Sequence, residues 1–404
     1  MRVCMLAYTF YEKDNRVRRY AEALVKRGDQ VDAIALAREG QPSFQLIKGV
    51  RVFQIQKRTI DETGPVSYLI KLLSFFFRSA WFLTVSHLRE PYDIIHVHSV
   101  PDFEVFATLI PRLMGARVIL DIHDIVPEFY GSKFKVGERS LIFRMLVLLE
   151  RLSIAYSNHV IISNHLWYEK LVKRSVRPEK CTAIINYTDL SIFSRRPRPT
   201  PPNGDFVMCY PGGITWHQGL DIAIQAVSLL RDRVPHLKFL IVGDGPDREK
   251  LKGMILREHL EDRVSISGFV PLERVAEIVA SSDLGVVPKR KDSFGNEAFS
   301  TKIMEFMAMN VPVVASRTLI DEHYFTEEMV QFFDSGNAED LADRILYLIQ
   351  NPGHRSALCE FSSEFIAQNN WELKKQEYLT LIDSLTLRSH NRPSLRGLLH
   401  WSKG

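Results

Sequence analysis

Apolar positions along the chain alternate between two textures. Val3–Ala7 is an unbroken apolar run, the mark of a strand buried on both faces. Val17–Arg27 then places its apolar residues at helical spacing and stops at Gly28. Strand texture returns at Gln30–Leu36, Ile94–His98 and Arg117–Ile122. The alternation restarts later, with strand Val207–Tyr210, helix Leu220–Arg231, and strands Lys238–Val242, Val264–Ser267, Leu284–Val287 and Val311–Ala315. Strands alternating with helices predict parallel sheets with helices on both faces. Between the two series, Arg195–Asp205 holds four prolines and then a glycine, which no helix or central strand tolerates. The expected organisation is an α/β chain of two doubly wound, Rossmann-like domains, 1–194 and 206–372, joined by a linker at 195–205. A helix over 373–387 is expected to pack back on the first domain, ahead of a basic tail at 388–404.

One segment departs from this texture. Residues 68–89 form an apolar helical stretch interrupted by Lys71, Arg78 and Arg89, with aromatic residues at its middle. Such a helix is either buried or lies on a lipid surface with its basic residues at the headgroups. The tail from Arg388 to Gly404 adds Arg388, Arg392, Arg396 and Lys403 with no acid. Charge sharpens the picture: residues 1–200 carry 30 Lys/Arg against 20 Asp/Glu, and residues 201–404 carry 22 against 28. A basic first half suits an anionic surface, although drift of surface charge gives the same asymmetry. With 46% hydrophobic and 25% charged residues in 404, the chain is globular and large enough for two cores. Cys4, Cys181, Cys209 and Cys359 show no C-x-x-C spacing, which suits a reducing cytosol and neither a disulfide framework nor a zinc knuckle. No uncharged apolar run reaches about 18 residues, so a conventional bilayer span is not expected, nor is a signal peptide at the start. The protein is expected in the cytoplasm, soluble or peripheral at the inner face of the membrane.

Ligands of open parallel sheets bind beyond the carboxyl ends of the strands. The densest chemistry there follows Leu284–Val287, in Pro288-Lys-Arg-Lys-Asp-Ser-Phe-Gly-Asn-Glu297-Ala-Phe-Ser-Thr-Lys302-Ile-Met-Glu305. Ser300 or Thr301 is a candidate N-cap, and Lys302 lies in the first turn of the helix that follows. A helix N-terminus with a lysine suits phosphate, and Glu297 and Glu305 could accept hydrogen bonds from sugar hydroxyls on either side. Among other motifs, His96-Val-His98 puts two imidazoles on one strand face and, with His123 and Asp124, raises a metal site that a polar cleft lining explains equally well. Gly243-Asp-Gly-Pro-Asp-Arg248 lacks the third glycine of a dinucleotide fingerprint and reads as a tight turn. Lys173-Arg174-Ser-Val-Arg177 reads as a solvated helix end. No D-x-D pair is present.

The stretch Glu297-Ala-Phe-Ser-Thr-Lys-Ile-Met-Glu-Phe-Met-Ala-Met-Asn-Val-Pro-Val-Val-Ala-Ser316 resembles the signature of glycosyltransferase family 4, retaining nucleotide-sugar transferases of the GT-B fold. Tyr210-Pro-Gly-Gly-Ile-Thr-Trp-His-Gln-Gly219, Phe239-Leu-Ile-Val-Gly-Asp-Gly-Pro246, Val264-Ser-Ile-Ser-Gly-Phe-Val270 and Asp121-Ile-His-Asp124 resemble the family's other landmarks in order and spacing, over about residues 1–387. The resemblance implies two Rossmann-like domains facing each other across a cleft. It implies that Glu297 meets the donor sugar and that Ala298, Phe299, Ser300 and Thr301 line the same pocket. Glu305 would hold the ribose, the base would rest near Phe269 and Val270, and His123 would lie by the anomeric carbon. Gly212 belongs to the donor loop. The family's pyrophosphate-binding Arg and Lys correspond here to Gly213 and Gln218, so the resemblance leaves Lys302 and the Lys289-Arg290-Lys291 run to neutralise the diphosphate. The family's usual Gly-Gly turn is replaced by Thr9–Arg16, and the candidates for the acceptor side are Asn15, His98 and Asp102.

The expectation is therefore a retaining glycosyltransferase with catalytic residues His123, Glu297 and Lys302. It needs no cofactor and no metal, since the nucleoside-diphosphate sugar is a substrate. The acceptor would be a glycan or a lipid-linked hydroxyl, an anionic membrane surface a second partner, and nucleic acid none. Two rivals share the fold. A nucleotide-sugar 2-epimerase would convert the donor without an acceptor, and a non-catalytic partner protein would bind nucleotide without turnover.

Overall fold

The computed structural model describes residues 1–58, 65–134, 137–197 and 204–390. The Pro-rich stretch at 198–203 and the tail at 391–404 lie outside the described residues. The chain divides into two units: Met1–Ile185 with Lys375–Gly404, and Asn186–Lys374. It therefore passes from one unit to the next at Ile185/Asn186, ahead of the expected linker.

The first unit is built on an eight-stranded sheet of β1 (Arg2–Ala7), β2 (Gln30–Ala37), β3 (Phe44–Ile47), β4 (Val50–Lys57), β5 (Ile94–His98), β6 (Arg117–Ile122), β7 (His159–Ile162) and β8 (Cys181–Ala183). Its order is β3-β4-β2-β1-β5-β6-β7-β8, parallel throughout except for the antiparallel pair β3–β4. The central strands β1 and β5 are buried on both faces, as their apolar runs require. By contrast β4 alternates buried and half-buried residues, as fits a strand next to the edge. The helices are α1 (Asn15–Arg27), α2 (Pro65–Arg89), α3 (Leu109–Leu113), α4 (Val126–Phe134), α5 (Leu141–Tyr156) and α6 (His165–Arg174). Asp14 caps α1 by accepting from the N–H groups of Arg16 and Val17, and Gly28 ends it in the left-handed conformation at φ 100°.

The second unit has a six-stranded, wholly parallel sheet of β9 (Phe206–Pro211), β10 (Leu237–Val242), β11 (Val264–Ile266), β12 (Leu284–Val287), β13 (Val313–Ser316) and β14 (Gln331–Phe333). Its order is β11-β10-β9-β12-β13-β14. The helices are α7 (Leu220–Leu229), α8 (Arg248–Arg257), α9 (Leu272–Ser281), α10 (Thr301–Ala308), α11 (Leu319–Tyr324), α12 (Ala338–Gln350) and α13 (Pro352–Gln368). Tyr210, Ile224, Phe239, Leu284, Phe333 and Ile345 sit in its core. The last helix, α14 (Trp371–His390), starts in this unit and from Lys375 onward belongs to the first.

Both sheets reverse direction once. In the first the strand order turns between β1 and β5, and in the second between β9 and β12. Each reversal opens a crevice at the strand ends where ligands of such sheets bind.

Two expectations change here. By length and composition Ser67–Arg89 is apolar enough to cross a membrane, a span the sequence reading did not expect, because it tolerated no interrupting charge. Arg174 does not lie at a solvated helix end. Its guanidinium bonds Glu150, itself 1% exposed, and Glu128, forming a buried ion network.

Candidate active site

In the second unit the crevice lies between Pro211, at the end of β9, and Val287, at the end of β12. The loop after β9 starts with Gly212, and a side chain there would collide with Lys302 Cε. Gly243, after β10, approaches the Gly212 carbonyl so closely that a Cβ would strike it. The glycines thus let two loops and a lysine meet at one point. Lys302 Nζ makes one long hydrogen bond, 3.4 Å, to Gln218 Oε1 and sits 5.2 Å from the centre of the Tyr210 ring. The Tyr210 hydroxyl lies 2.9 Å from both Gln218 Oε1 and the Gly213 carbonyl oxygen, fixing the loop from below. Burial lowers the Lys302 pKa, and Glu305, one turn along the helix, opposes that shift.

Ser300 occupies the N-cap position of α10, but its side chain does not cap the helix. The hydroxyl turns inward, accepts from Lys289 Nζ at 2.8 Å and donates to Asp321 at 3.2 Å. Thr301 is the first helical residue, so the expected hydroxyl cap is absent and the first-turn N–H groups face the crevice without it. Lys289 also donates to the Ala298 carbonyl at 2.6 Å and pairs with buried Asp321 at 2.9 Å. Its charge holds the loop Ala298–Ser300 rather than a ligand. Arg290 pairs with Asp221, donates to the Trp216 carbonyl and stacks over the Trp216 ring at 4.9 Å. Of the expected cationic run, only Lys291 points outward as an exposed residue.

The remaining donor-side residues fall on the surrounding loops. Glu297 is half-buried in a turn organised by Asp292, which accepts from the N–H groups of Phe294 and Gly295 and meets His217 at 3.0 Å. Phe299 packs edge-on against Tyr324. Phe269 is exposed and Val270 half-buried, after β11. Sequence reasoning missed Tyr210, Asp292 and Asp321; a tyrosine closing an apolar strand was the one available signal.

In the first unit the corresponding crevice holds a buried charge cluster. Asp121, at the end of β6 and fully buried, takes a bidentate pair from Arg16, with two contacts of 2.8 Å. His98 Nδ1 and His123 Nε2 lie 3.2 and 3.3 Å from its Oδ2, and 3.1 Å from one another. Burial alone would raise the Asp121 carboxyl, but Arg16 and then His123 hold it well below the usual carboxylate range. Burial would lower His123, and Asp121 raises it overall. His96 lies behind, stacked on His98 and 3.0 Å from the Tyr378 hydroxyl, its pKa pushed well down by burial. His96, His98 and Asp121 could offer three ligand atoms to a metal. The Arg16 guanidinium takes both Asp121 oxygens, however, and a buried cation already neutralises the site, so this donor set does not fit a second one. The cluster unites His98 with His123. Asn15 starts α1 and makes no hydrogen bond to it, and Asp102 bonds Ser99.

Glu104, two residues past Asp102, is 1% exposed, and neither carboxylate oxygen has a protein partner. Burial pushes its pKa up to about 8. The unfolded chain ionises Glu104 near pH 4.3, so the folded state loses stability as pH rises from there through about 8. Glu104→Gln is expected to exceed the parent in stability by an amount that grows over this window to roughly 2 kcal/mol. Urea unfolding at several pH values measures it, and a pH-independent difference would mean the carboxylate is solvated.

Comparison with known proteins agrees with this geometry. The model "Glycosyl transferase 4-like domain" matches residues 14–186, and "Glycosyl transferases group 1" matches residues 192–364. The gpi3 subunit of phosphatidylinositol N-acetylglucosaminyltransferase from Schizosaccharomyces pombe is 24% identical over 83% of the chain and 69% of its own length. Its namesake in the human phosphatidylinositol N-acetylglucosaminyltransferase is 23% identical over 78% of the chain, which spans 62% of that relative. The 2-deoxystreptamine N-acetyl-D-glucosaminyltransferase of Niallia circulans is 24% identical over 82% of this chain and 86% of that one. Among solved structures, sucrose-phosphate synthase from Thermosynechococcus elongatus superposes with TM-score 0.79 at 18% identity, covering 96% of this chain and 99% of that one. Anabaena HepE in complex with UDP-glucose gives 0.69 at 18%, covering 94% and 99%. Two parallel-sheet units with this strand order, and family matches across nearly all of both, make the chain a GT-B glycosyltransferase of the family 4 type.

Proposed function

We propose that the protein transfers a sugar from a nucleoside diphosphate to an acceptor hydroxyl with retention at the anomeric carbon, without a metal. The observation that carries this is the Lys302 ammonium beside Gly212, at a helix N-terminus that no side chain caps. A diphosphate there meets backbone N–H groups, the positive end of α10 and one lysine, which together oppose the charge that develops as the sugar–phosphate bond breaks. The acceptor oxygen bonds the anomeric carbon, and its proton leaves with the released diphosphate. Retention is read as attack from the face of the departing phosphate. Glu297 serves the donor sugar, Glu305 the ribose and His123 the transfer step. Relatives named for N-acetylglucosaminyl transfer, and HepE with UDP-glucose, make uridine diphosphate sugars the first donors to test. We place the reaction in the cytoplasm, with a glycan or a lipid-linked acceptor at the inner membrane face.

Thermal melting with a panel of nucleotide sugars, all in excess EDTA, tests the reading. A true donor at 100 times its Kd adds about 2.7 kcal/mol of stability. Transfer is expected to persist under chelation. A requirement for Mg²⁺ or Mn²⁺, restored on re-addition, would overturn the metal-free account, and an epimerised nucleotide sugar formed without acceptor would replace transfer with epimerisation.

A further inference from the structure

The first unit carries an apolar surface that its own fold leaves uncovered. Along α2, Leu72, Phe75, Ser79, Leu83 and His87 are buried at helical spacing, so one stripe is committed to the unit. The helix lies along the unit and is not free to cross a bilayer. Its outer side presents Leu69, Ile70, Leu73, Phe77 and Trp81, the last 74% exposed. Beside α2 packs α3, which exposes Leu109, Ile110, Leu113 and Met114. The turn Asp102–Thr108 joins this pair to α5, where Leu141, Met145, Leu148 and Leu152 form an exposed stripe opposite buried Phe143, Glu150 and Ile154. Apolar stripes of this extent are uncommon on soluble surfaces and mark interaction sites.

Charge decides the occupant. Exposed basic residues border the stripes: Arg78 and Arg89 on α2, and Arg144 and Arg151 on α5. No acid lies on α2 or α3, and Glu150, the one acid of α5, is buried, as are Asp102 and Glu104 in the adjoining turn. A second copy would bring these arginines against each other across a twofold interface, which like charges oppose. Apolar side chains ringed by cations, with the acids turned inward, match a surface whose core is hydrocarbon and whose rim is negative. We propose that the outer faces of α2, α3 and α5 dock the protein on an anionic lipid bilayer. The proposal rests on the functional reading only in setting the acceptor at a membrane.

Cosedimentation of the full chain with vesicles tests it. Vesicles of phosphatidylcholine with about one third phosphatidylglycerol are expected to pellet the protein at about 0.1 M salt and to release it at about 0.5 M. Phosphatidylcholine alone is expected to hold it at least about tenfold more weakly. Trp81→Ser with Met145→Ser, and separately Arg144→Glu with Arg151→Glu, should each lower binding to the anionic vesicles at least about tenfold. Both double variants alter exposed side chains, so their melting and its shift by the nucleotide sugar should match the parent; that readout separates failure of docking from failure of the donor reading. Absence of vesicle binding at every salt concentration, or equal binding to both lipids, would overturn the proposal. So would a concentration-dependent dimer in sedimentation equilibrium that the Trp81→Ser, Met145→Ser variant abolishes.

Discussion

Lys302→Ala is expected to lower kcat/KM by about 2–4 kcal/mol of transition-state stabilisation, the range for other preorganised donors to a developing anion. The size follows from the lack of substitutes. Lys289 is locked between Ala298, Ser300 and Asp321, and Arg290 between Asp221 and Trp216, so neither can swing to the diphosphate without undoing its loop. Gly213 and Gln218 supply no charge. Lys302→Arg should recover part of the loss, since charge returns but the fork is too bulky for the space over Gly212. The control is Lys291→Ala, which removes an exposed cation and should stay within about threefold of the parent. Steady-state kinetics with the best donor decides it. A Lys302→Ala enzyme as active as the Lys291→Ala control would mean that backbone N–H groups alone hold the diphosphate.

Arg16→Ala is expected to destabilise the first unit by about 3–5 kcal/mol, because it strands Asp121 in a fully buried position without its bidentate partner. Asp121 is ionised in the fold at a pKa well below its unfolded value, so the stabilisation it brings is present above about pH 4 and is lost as pH falls below that. The gap between parent and variant should therefore narrow in acid. Adding Asp121→Ala to Arg16→Ala should restore part of the loss by removing the stranded charge. Urea unfolding followed at buried Trp167 reports on this unit, and two units make separate transitions the expectation. Equal stability of parent and Arg16→Ala would show that the histidines suffice to neutralise Asp121.

The parallel strands and the helix that carries Lys302 were legible because buried parallel strands are written as short apolar runs and helices as periodic ones. The hairpin of β3 and β4 was not, since Phe44–Lys57 alternates polar and apolar residues over lengths that a surface loop also shows. Cationic runs were read least well. Lys289, Arg290 and Lys291 are equivalent in sequence, and only the acids brought to them from Asp321 and Asp221 distinguish two structural pins from one exposed side chain. The same holds for Arg174, whose partners Glu128 and Glu150 lie 46 and 24 residues earlier. Asp121 stood in a recognised motif, yet its charge depends on Arg16, 105 residues away. Pairings over such separations leave no periodic trace.

The closing helix gives the first unit a timetable. Tyr378 packs on Tyr20 with ring centres 4.1 Å apart and meets His96, while Asp383 pairs with Arg27. Those partners belong to strands and helices synthesised near the beginning of the chain, and α14 near its end. A ribosome completing Ile185 must still add the whole second unit, roughly 10–40 s at ordinary elongation rates, before Lys375 emerges. During that interval the Tyr20 and His96 surfaces lack their cover, whereas Asn186–Lys374 is a continuous stretch that can finish folding first. The nascent first unit thus waits, incomplete, for the last residues of its own chain, and it is the part of the molecule that a chaperone would meet.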